Sequence, residues 1–584
     1  MNIQRTPRWD RELTLVSQLA AAASLLSFLF YFRHGDLLLY GDAVAHINIA
    51  RRVIDSRTPG LLQLGTVWLP LPHLLMIPFL LSDAAWQTGI AGAIPSMCGY
   101  VLGTVGIFRL VRGGLSEDRQ QWTAGTPALH ARAAAWLAAV IYAANPNLLY
   151  MQTTAMTEVL YLAFLVWSLV YFGEFAQSVG TLEADTSLMK CGGCLLAACL
   201  TRYDGWFAAG IMGLAAAYVL VRSGRQALRR SFLKFILLAL AGPLLWLGYN
   251  AVVYHNPLEF ANGPYSAHAI EQQKTALSQL SPHPGWHSLP VAFSYFLKCA
   301  EGNVAEGKLQ KLWVALLFAG TAVVLVYRKL WPFLLLVIPV VFYPISIAYG
   351  SVPIYLLDWW PFSYYNVRFG LEMVPAFAVM AALVLHFLLS VWSGPQALKP
   401  ASLTANSGTA KAVPLHGRRT VVGDARNRHA TLGIAASIVA LIAVSYALVW
   451  RAQPICYREA WFNSRTRMAF EAALAATLIK LPHDSSLLMY LGDHVGALQD
   501  AGIPLRRTIN ESNHRPWREP YDPDGLWERA LDDPKKYVEY VIAIDDDPVA
   551  TKAQRRDLSS MVVVHTIGQP PATIYWTGRI TSPP

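Results

Sequence analysis

The chain has 584 residues, of which 54% are hydrophobic and 14% charged, and its formal net charge is +10. Apolar residues in that excess, gathered in runs of membrane-crossing length, exclude an ordinary soluble domain and predict a polytopic membrane protein. The basic residues are dispersed over many loops rather than gathered on one face, which marks them as a topology signal and argues against a nucleic-acid partner.

A helical crossing needs about 20 apolar residues. Eleven stretches are read as crossings: 14–32, 89–111, 132–150, 156–175, 188–202, 204–222, 232–254, 311–327, 330–349, 369–391 and 432–450. The first lacks a cleavage site before Arg33 and is read as a retained anchor. Leu69 to Ser82 is apolar but short, and it holds Pro70, Pro72 and Pro78, so it is assigned to the interface or to a re-entrant turn. With the N-terminus inside, Arg109, Arg112, Arg119 and Arg132, then Arg222 to Arg230, Arg328 with Lys329, and Lys399 to Arg428 all fall in cytoplasmic loops. This places outside the cytoplasm the loops 33–88 and 255–310, a shorter loop at 350–368 and the tail from 451 onward.

The expected organisation is a transmembrane catalytic domain over 1–394, a flexible cytoplasmic linker over 395–431, a last transmembrane helix over 432–450, and an extracytoplasmic α/β domain over 451–584. The tail pattern gives a helix over 465–481 and short β runs at 486–490, 537–544, 561–565 and 573–576. Cys191-Gly192-Gly193-Cys194 has no second pair to complete a metal site and reads as small-residue helix packing. Cys299 and Cys456 both fall outside, and their pairing is left open. The outer loop bearing His255, His268, His283 and His287 has no compact zinc spacing.

Four clusters carry candidate chemistry. Asp42 and His46 stand at i and i+4 on one face of a helix opening near Asp42. Asp42 is either a general base, with His46 holding a phosphate or the acceptor, or simply the cap of that helix. Glu158 stands at the outer end of a wholly apolar span, either facing an aqueous cavity or following Thr157 as cap. Arg202 and Asp204 form a polar turn between two spans. Arg368, after Asn366, breaks the inside preference of basic residues at the outer start of a late span, where a guanidinium suits a lipid phosphate or snorkels to headgroups.

In order, Tyr40-Gly41-Asp42-Ala43-Val44-Ala45-His46, the Pro-rich Trp68-Leu69-Pro70-Leu71-Pro72-His73, Thr157-Glu158, the Arg202-Tyr203-Asp204 turn and Asn366-Val367-Arg368-Phe369 resemble the GT-C superfamily of membrane glycosyltransferases. The likeness covers about residues 10 to 395 and is nearest to bacterial relatives of protein O-mannosyltransferases and of the lipid A aminoarabinose transferase. It implies a GT-C-like α-helical fold and an inverting transfer of a sugar from a polyprenyl-phosphate donor to a glycan, lipid or protein acceptor, on the outer face of the cytoplasmic membrane. Asp42 becomes the base, Glu158 a second acid orienting the acceptor, and Arg368 with Arg202 the phosphate clamp. His46, Asp204 and Asn366 become substrate-binding positions. The chain departs from the mannosyltransferase pattern in its lone Asp42, and Asp358-Trp359-Trp360 has the residue types of the oligosaccharyltransferase WWD motif in another order and place. No organic cofactor is implied, and a divalent cation joining Asp42 and Glu158 is left open. A transporter or flippase for lipid-linked sugars and a non-catalytic envelope-assembly scaffold are the competing classes.

Overall fold

A computed structural model describes residues 10–115, 126–179, 181–224, 229–278, 283–392, 421–492, 494–515, 522–553 and 558–579. In chain order its main helices are α1 (Arg11–His34), α2 (Gly41–Arg52), α3 (Pro70–Met76), α4 (Ile90–Leu115), α5 (Thr126–Ala143) and α6 (Pro146–Met151). There follow α7 (Glu158–Gln177), α8 (Leu182–Cys199), α9 (Asp204–Ser223), α10 (Arg229–Val253), α11 (Ala267–Ser278) and α12 (Leu289–Gly302). The last are α13 (Leu309–Val326), α14 (Pro339–Tyr349), α15 (Val374–Trp392), α16 (Val421–Ala452) and α17 (Ile455–Leu478).

Nine helices among the described residues are long and apolar enough to cross a membrane. Two of the eleven expected crossings fall short of that measure. Stretch 188–202 belongs to α8, which carries Glu183, Asp185 and Lys190. Stretch 132–150 is divided: α5 ends at Ala143, and Asn145 caps α6 by accepting from the Leu148 N–H. Pro146 is the cause, since the residue before proline is driven to extended backbone, and Asn145 has φ −62° and ψ 120°. The Pro-rich 69–82 stretch forms only α3 and a 3₁₀ turn over Ile77–Leu81. Residues 395–420 of the expected linker lie outside the described residues, and α16 opens at Val421.

Close approach between α4 and α7 sets the geometry beneath the site. A Cβ on Gly99 would stand 3.0 Å from the Leu160 Cα and 3.2 Å from the Val159 carbonyl, so only glycine lets the first turn of α7 lie directly on α4. That contact fixes the height of Glu158, the first residue of α7. Arg368 is held in the same manner. It sits in a 3₁₀ segment, Val367–Met373, packed on α12, where Asn303 donates to the Cys299 and Val367 carbonyls at 2.9 and 2.8 Å. Cys299 and Cys456 are both free and buried against this hub, their thiols directed at the Val367 carbonyl and the Asn303 side-chain oxygen.

The tail folds as expected into a small α/β unit. Its five-stranded sheet has the order β2-β1-β3-β5-β4, with β1 (Leu487–Met489), β2 (Thr508–Ile509), β3 (Tyr540–Ile544), β4 (Ser559–Val564) and β5 (Ala572–Trp576). The β1–β2 and β1–β3 pairs are parallel, while β5 runs antiparallel to β3 and β4. Strand β3 is buried along its whole length, as a central strand requires. The two-residue β2 has no alternating pattern to announce it. The helix expected over 465–481 opens earlier, at Ile455, and enters the membrane domain's polar centre.

Gly370 offers a direct check of this frame. A Cβ there would lie 2.5 Å from both the Asn303 Nδ2 and the Cys299 carbonyl, which are backbone or already hydrogen-bonded. Gly370→Ala should therefore cost about 1–3 kcal/mol by overpacking, read as a lowered melting temperature of the reconstituted chain, whereas Gly193→Ala, with open space around it, should be near neutral.

Candidate active site

Helix α2 opens after Tyr40, whose extended backbone is the N-cap without a side-chain bond, so Asp42 is not the cap considered from spacing alone. Its carboxylate is left to point outward from the first turn, 2.6 Å from the Arg368 guanidinium. Arg467 of α17 fixes the entry to α2 by donating to the Leu38 and Leu39 carbonyls at 2.8 and 3.0 Å.

Glu158 lies between two arginines. Its Oε1 receives the Arg368 Nε at 3.1 Å and an Arg202 terminal nitrogen at 3.0 Å, while its Oε2 is buried without a partner. Thr157 precedes it at the N-cap position but makes no side-chain capping bond there; its hydroxyl accepts from Arg202 instead. Arg202 and Asp204 do form the adjacent ion pair, at 3.0 Å, within a larger cluster. The Tyr343 hydroxyl lies 2.8 Å from Asp204 and 2.6 Å from Glu372, and Arg202 reaches Glu372 at 3.4 Å. Phe369 packs against both guanidinia, its ring centroid 5.1 Å from Arg202 and 5.3 Å from Arg368. Arg368 is buried, so it does not snorkel to headgroups.

Sequence reasoning missed Tyr343, Glu372 and Glu459. Glu459, from α17, accepts from the Tyr40 hydroxyl at 2.8 Å and stands 3.7 Å from Arg368. An acid at the start of an apolar span was the available signal for Glu372; nothing local distinguishes Glu459. Asn366 adopts a left-handed backbone, φ 58°, and donates to the Pro353 carbonyl, so its amide shapes the turn that presents Arg368.

All seven expected site residues line one cavity of about 1310 Å³. Within it the exposure differs sharply: the Asp42 side chain is 42% exposed, against 1% for Glu158 and 10% for Arg368. Asp42 is thus the acid available to a ligand. Asp42 and Glu158, weighed as a cation site, meet on the Arg368 guanidinium, and no cluster of three metal-ligating side chains occurs among the described residues. The tail contributes Tyr490, Glu511, Ser512 and His514 to the cavity wall.

His46 shares the cavity but not the ion network. Its Nδ1 lies 2.8 Å from the His73 Nε2, and its ring packs on Trp68. Burial, reinforced by the charges of Arg368 and Arg202, pushes His46 down to about 3, and burial pushes His73 down as well. Both imidazoles are therefore neutral at pH 7, and one hydrogen joins them.

No protein-family model and no curated protein matches the chain by sequence. Among solved structures it is similar to ArnT from Cupriavidus metallidurans bound to undecaprenyl phosphate, with a TM-score of 0.52 at 13% identity over 96% of this chain and 97% of that one. The apo state of the same protein gives 0.51 at 15% identity over the same shares. The oligosaccharyltransferase of Archaeoglobus fulgidus, tethered with an acceptor peptide, gives 0.43 at 12% identity, covering 92% of this chain and 69% of that one.

The neutral pair yields a pH test. A histidine held low in the fold binds fewer protons than in the unfolded chain, so stability is complete above the ordinary imidazole value and is lost as pH falls below it. Between pH 7 and pH 5 His46 should cost roughly 2 kcal/mol, read as a falling melting temperature, and His46→Gln should flatten that slope.

The chain is a multi-pass membrane protein with the fold of ArnT from Cupriavidus metallidurans.

Proposed function

We propose that the chain is a membrane glycosyltransferase that moves a sugar from a polyprenyl-phosphate carrier to an envelope acceptor, with inversion at the anomeric carbon. The observation that carries this reading is the Asp42–Arg368–Glu158–Arg202 chain of contacts, which sets one accessible carboxylate beside two guanidinia at the wall of a large cavity. The likeness to a transferase bound to undecaprenyl phosphate supports the carrier.

In this reading the acceptor hydroxyl gives its proton to Asp42 as its oxygen attacks the anomeric carbon. The bond from that carbon to the phosphate oxygen breaks on the opposite side, and its electron pair leaves with the phosphate. Arg368, with Arg202 behind it, faces the charge that develops there. Glu158, itself inaccessible, holds the two guanidinia at a fixed separation and so orients substrate only through them. His46 and Asp204 line the sugar-facing wall, and Asn366 sets the Arg368 turn. A phosphate entering this site competes with Asp42 for the outer edge of Arg368, which couples carrier binding to release of the base.

The placement of charge disfavours a transporter. Glu158 and Asp204 are the first residues of α7 and α9, and Arg368 is the second residue of the Val367–Ser390 crossing, so the network lies at helix ends rather than at mid-membrane depth. By the positive-inside pattern this rim faces outward from the cytoplasmic membrane.

The test is turnover of a labelled polyprenyl-phosphate sugar by the full chain in nanodiscs. Asp42→Asn should lower turnover by roughly 10²–10⁴ while keeping the melting temperature and carrier binding. Arg368→Gln should weaken carrier binding. Unchanged turnover in Asp42→Asn removes Asp42 as the base, whereas no turnover by the parent chain, with identical envelope glycans in cells with and without it, overturns the reading in favour of a scaffold.

A further inference from the structure

Four arginines line the cavity: Arg52, Arg202, Arg368 and Arg467. Three are committed. Arg202 and Arg368 bind the carboxylates of the ion network, and Arg467 pairs with Glu471 while holding the Leu38 and Leu39 carbonyls. The neighbouring Arg51, facing away, is likewise engaged by Asp55 and Asp83.

Arg52 differs from all of these. Of its five N–H donors, one terminal nitrogen donates to the Ser512 hydroxyl at 2.8 Å, and its Nε is buried with no partner. Among the described residues it forms no ion pair. Burial pushes its guanidinium down, with Glu511, Tyr254 and Tyr265 near enough to counter the shift only in part. The Glu511 carboxylate is occupied elsewhere, accepting the backbone N–H groups of Leu491 and Gly492 at 2.9 and 3.2 Å. A half-buried guanidinium without a bound counter-ion, its Nε buried and unpartnered, opening on a cavity, is an arrangement completed by an oxyanion.

Its position relates it to the chemistry. Asp42, His46, Ile49 and Arg52 are among the α2 residues in the cavity wall, and the ten residue steps from Asp42 to Arg52 span about 15 Å of helix axis. A group bound at Arg52 is therefore too remote to be the phosphate that leaves beside Asp42, yet it shares the same chamber. Ser512, the backing partner, comes from the tail, so this second position exists only where the tail closes on the outer loop.

We propose that Arg52, backed by Ser512, is a second oxyanion-binding site, and that the acceptor presents a phosphate or carboxylate there while its hydroxyl lies at Asp42. The assignment to the acceptor rests on the glycosyl-transfer reading; the anion site itself does not. The carboxylate of Glu511 beside it tunes the affinity downward, which favours exchange of the acceptor after transfer.

The experiment uses the full chain in phosphatidylcholine nanodiscs, with inorganic phosphate and acetate titrated against tryptophan fluorescence, Trp68 being part of the cavity wall. The parent should bind phosphate, Arg52→Gln should weaken it at least tenfold, and Arg52→Lys should retain part of it. Glu511→Gln, which keeps an acceptor for the two N–H groups, should tighten phosphate several-fold, a gain that misfolding does not imitate. Stronger binding of phosphate than acetate identifies the acceptor group as a phosphate, and the reverse order identifies a carboxylate. Phosphate binding that Arg52→Gln leaves unaltered, or that Glu511→Gln does not tighten, overturns the site. None of this requires turnover, so an inactive chain that still shows these shifts sinks the transferase reading and leaves the anion site standing. In an active chain, Arg52→Gln should raise the acceptor KM with kcat and the donor KM unchanged; a raised donor KM instead overturns the assignment to the acceptor.

Discussion

The structure depends on one buried carboxylate shared by two guanidinia. Glu158 is inaccessible, and its Oε1 receives both Arg202 and Arg368. Removing such charges from water costs several kcal/mol each, and the pairing recovers that cost only when the geometry is close and the other donors are satisfied. Here they are satisfied by Asp42, Asp204, Glu372, Glu459 and Tyr343, drawn from widely separated helices. The network therefore ties together α2, α7, α9, α14, α17 and the Val367–Met373 segment. Losing Glu158 would leave two buried cations facing each other, whereas Asp42, already half in contact with the cavity, contributes little to that balance.

Packing makes this arrangement possible. Glycine in α4 lets α7 approach until backbones touch, which puts Glu158 at the depth of the 3₁₀ segment carrying Arg368. Asn303 and Gly370 hold that segment from behind. The aromatic ring of Phe369 then packs against both guanidinia that Glu158 draws together.

The tail is part of the chamber rather than an appendage. Helix α17 supplies Glu459 and Arg467 to the ion network and to the entry of α2, and the loops around β1 and β2 supply Tyr490, Glu511 and Ser512 to the opposite wall. A helix expected only over 465–481 leaves out Glu459, because a helix that packs on apolar helices along one side and on a sheet along the other shows no single apolar stripe to mark its start.

Much of the molecule was legible in its amino acids. Long apolar runs can only be helices in a bilayer, since every backbone group must be satisfied within the segment, and ionisable residues at their ends stand out against that background. Asp42, Glu158, Arg202, Asp204 and Arg368 were visible for this reason. The interruption at Asn145-Pro146 was written in the dipeptide but outweighed by the apolar residues around it. What only the tertiary structure decided is pairing: that Arg368 turns inward to two acids rather than outward to headgroups, that His46 meets His73 instead of the network, and that Glu372, Glu459 and Tyr343 complete the site. Those outcomes depend on distances between segments far apart in the chain, and neither composition nor periodicity carries information about such distances.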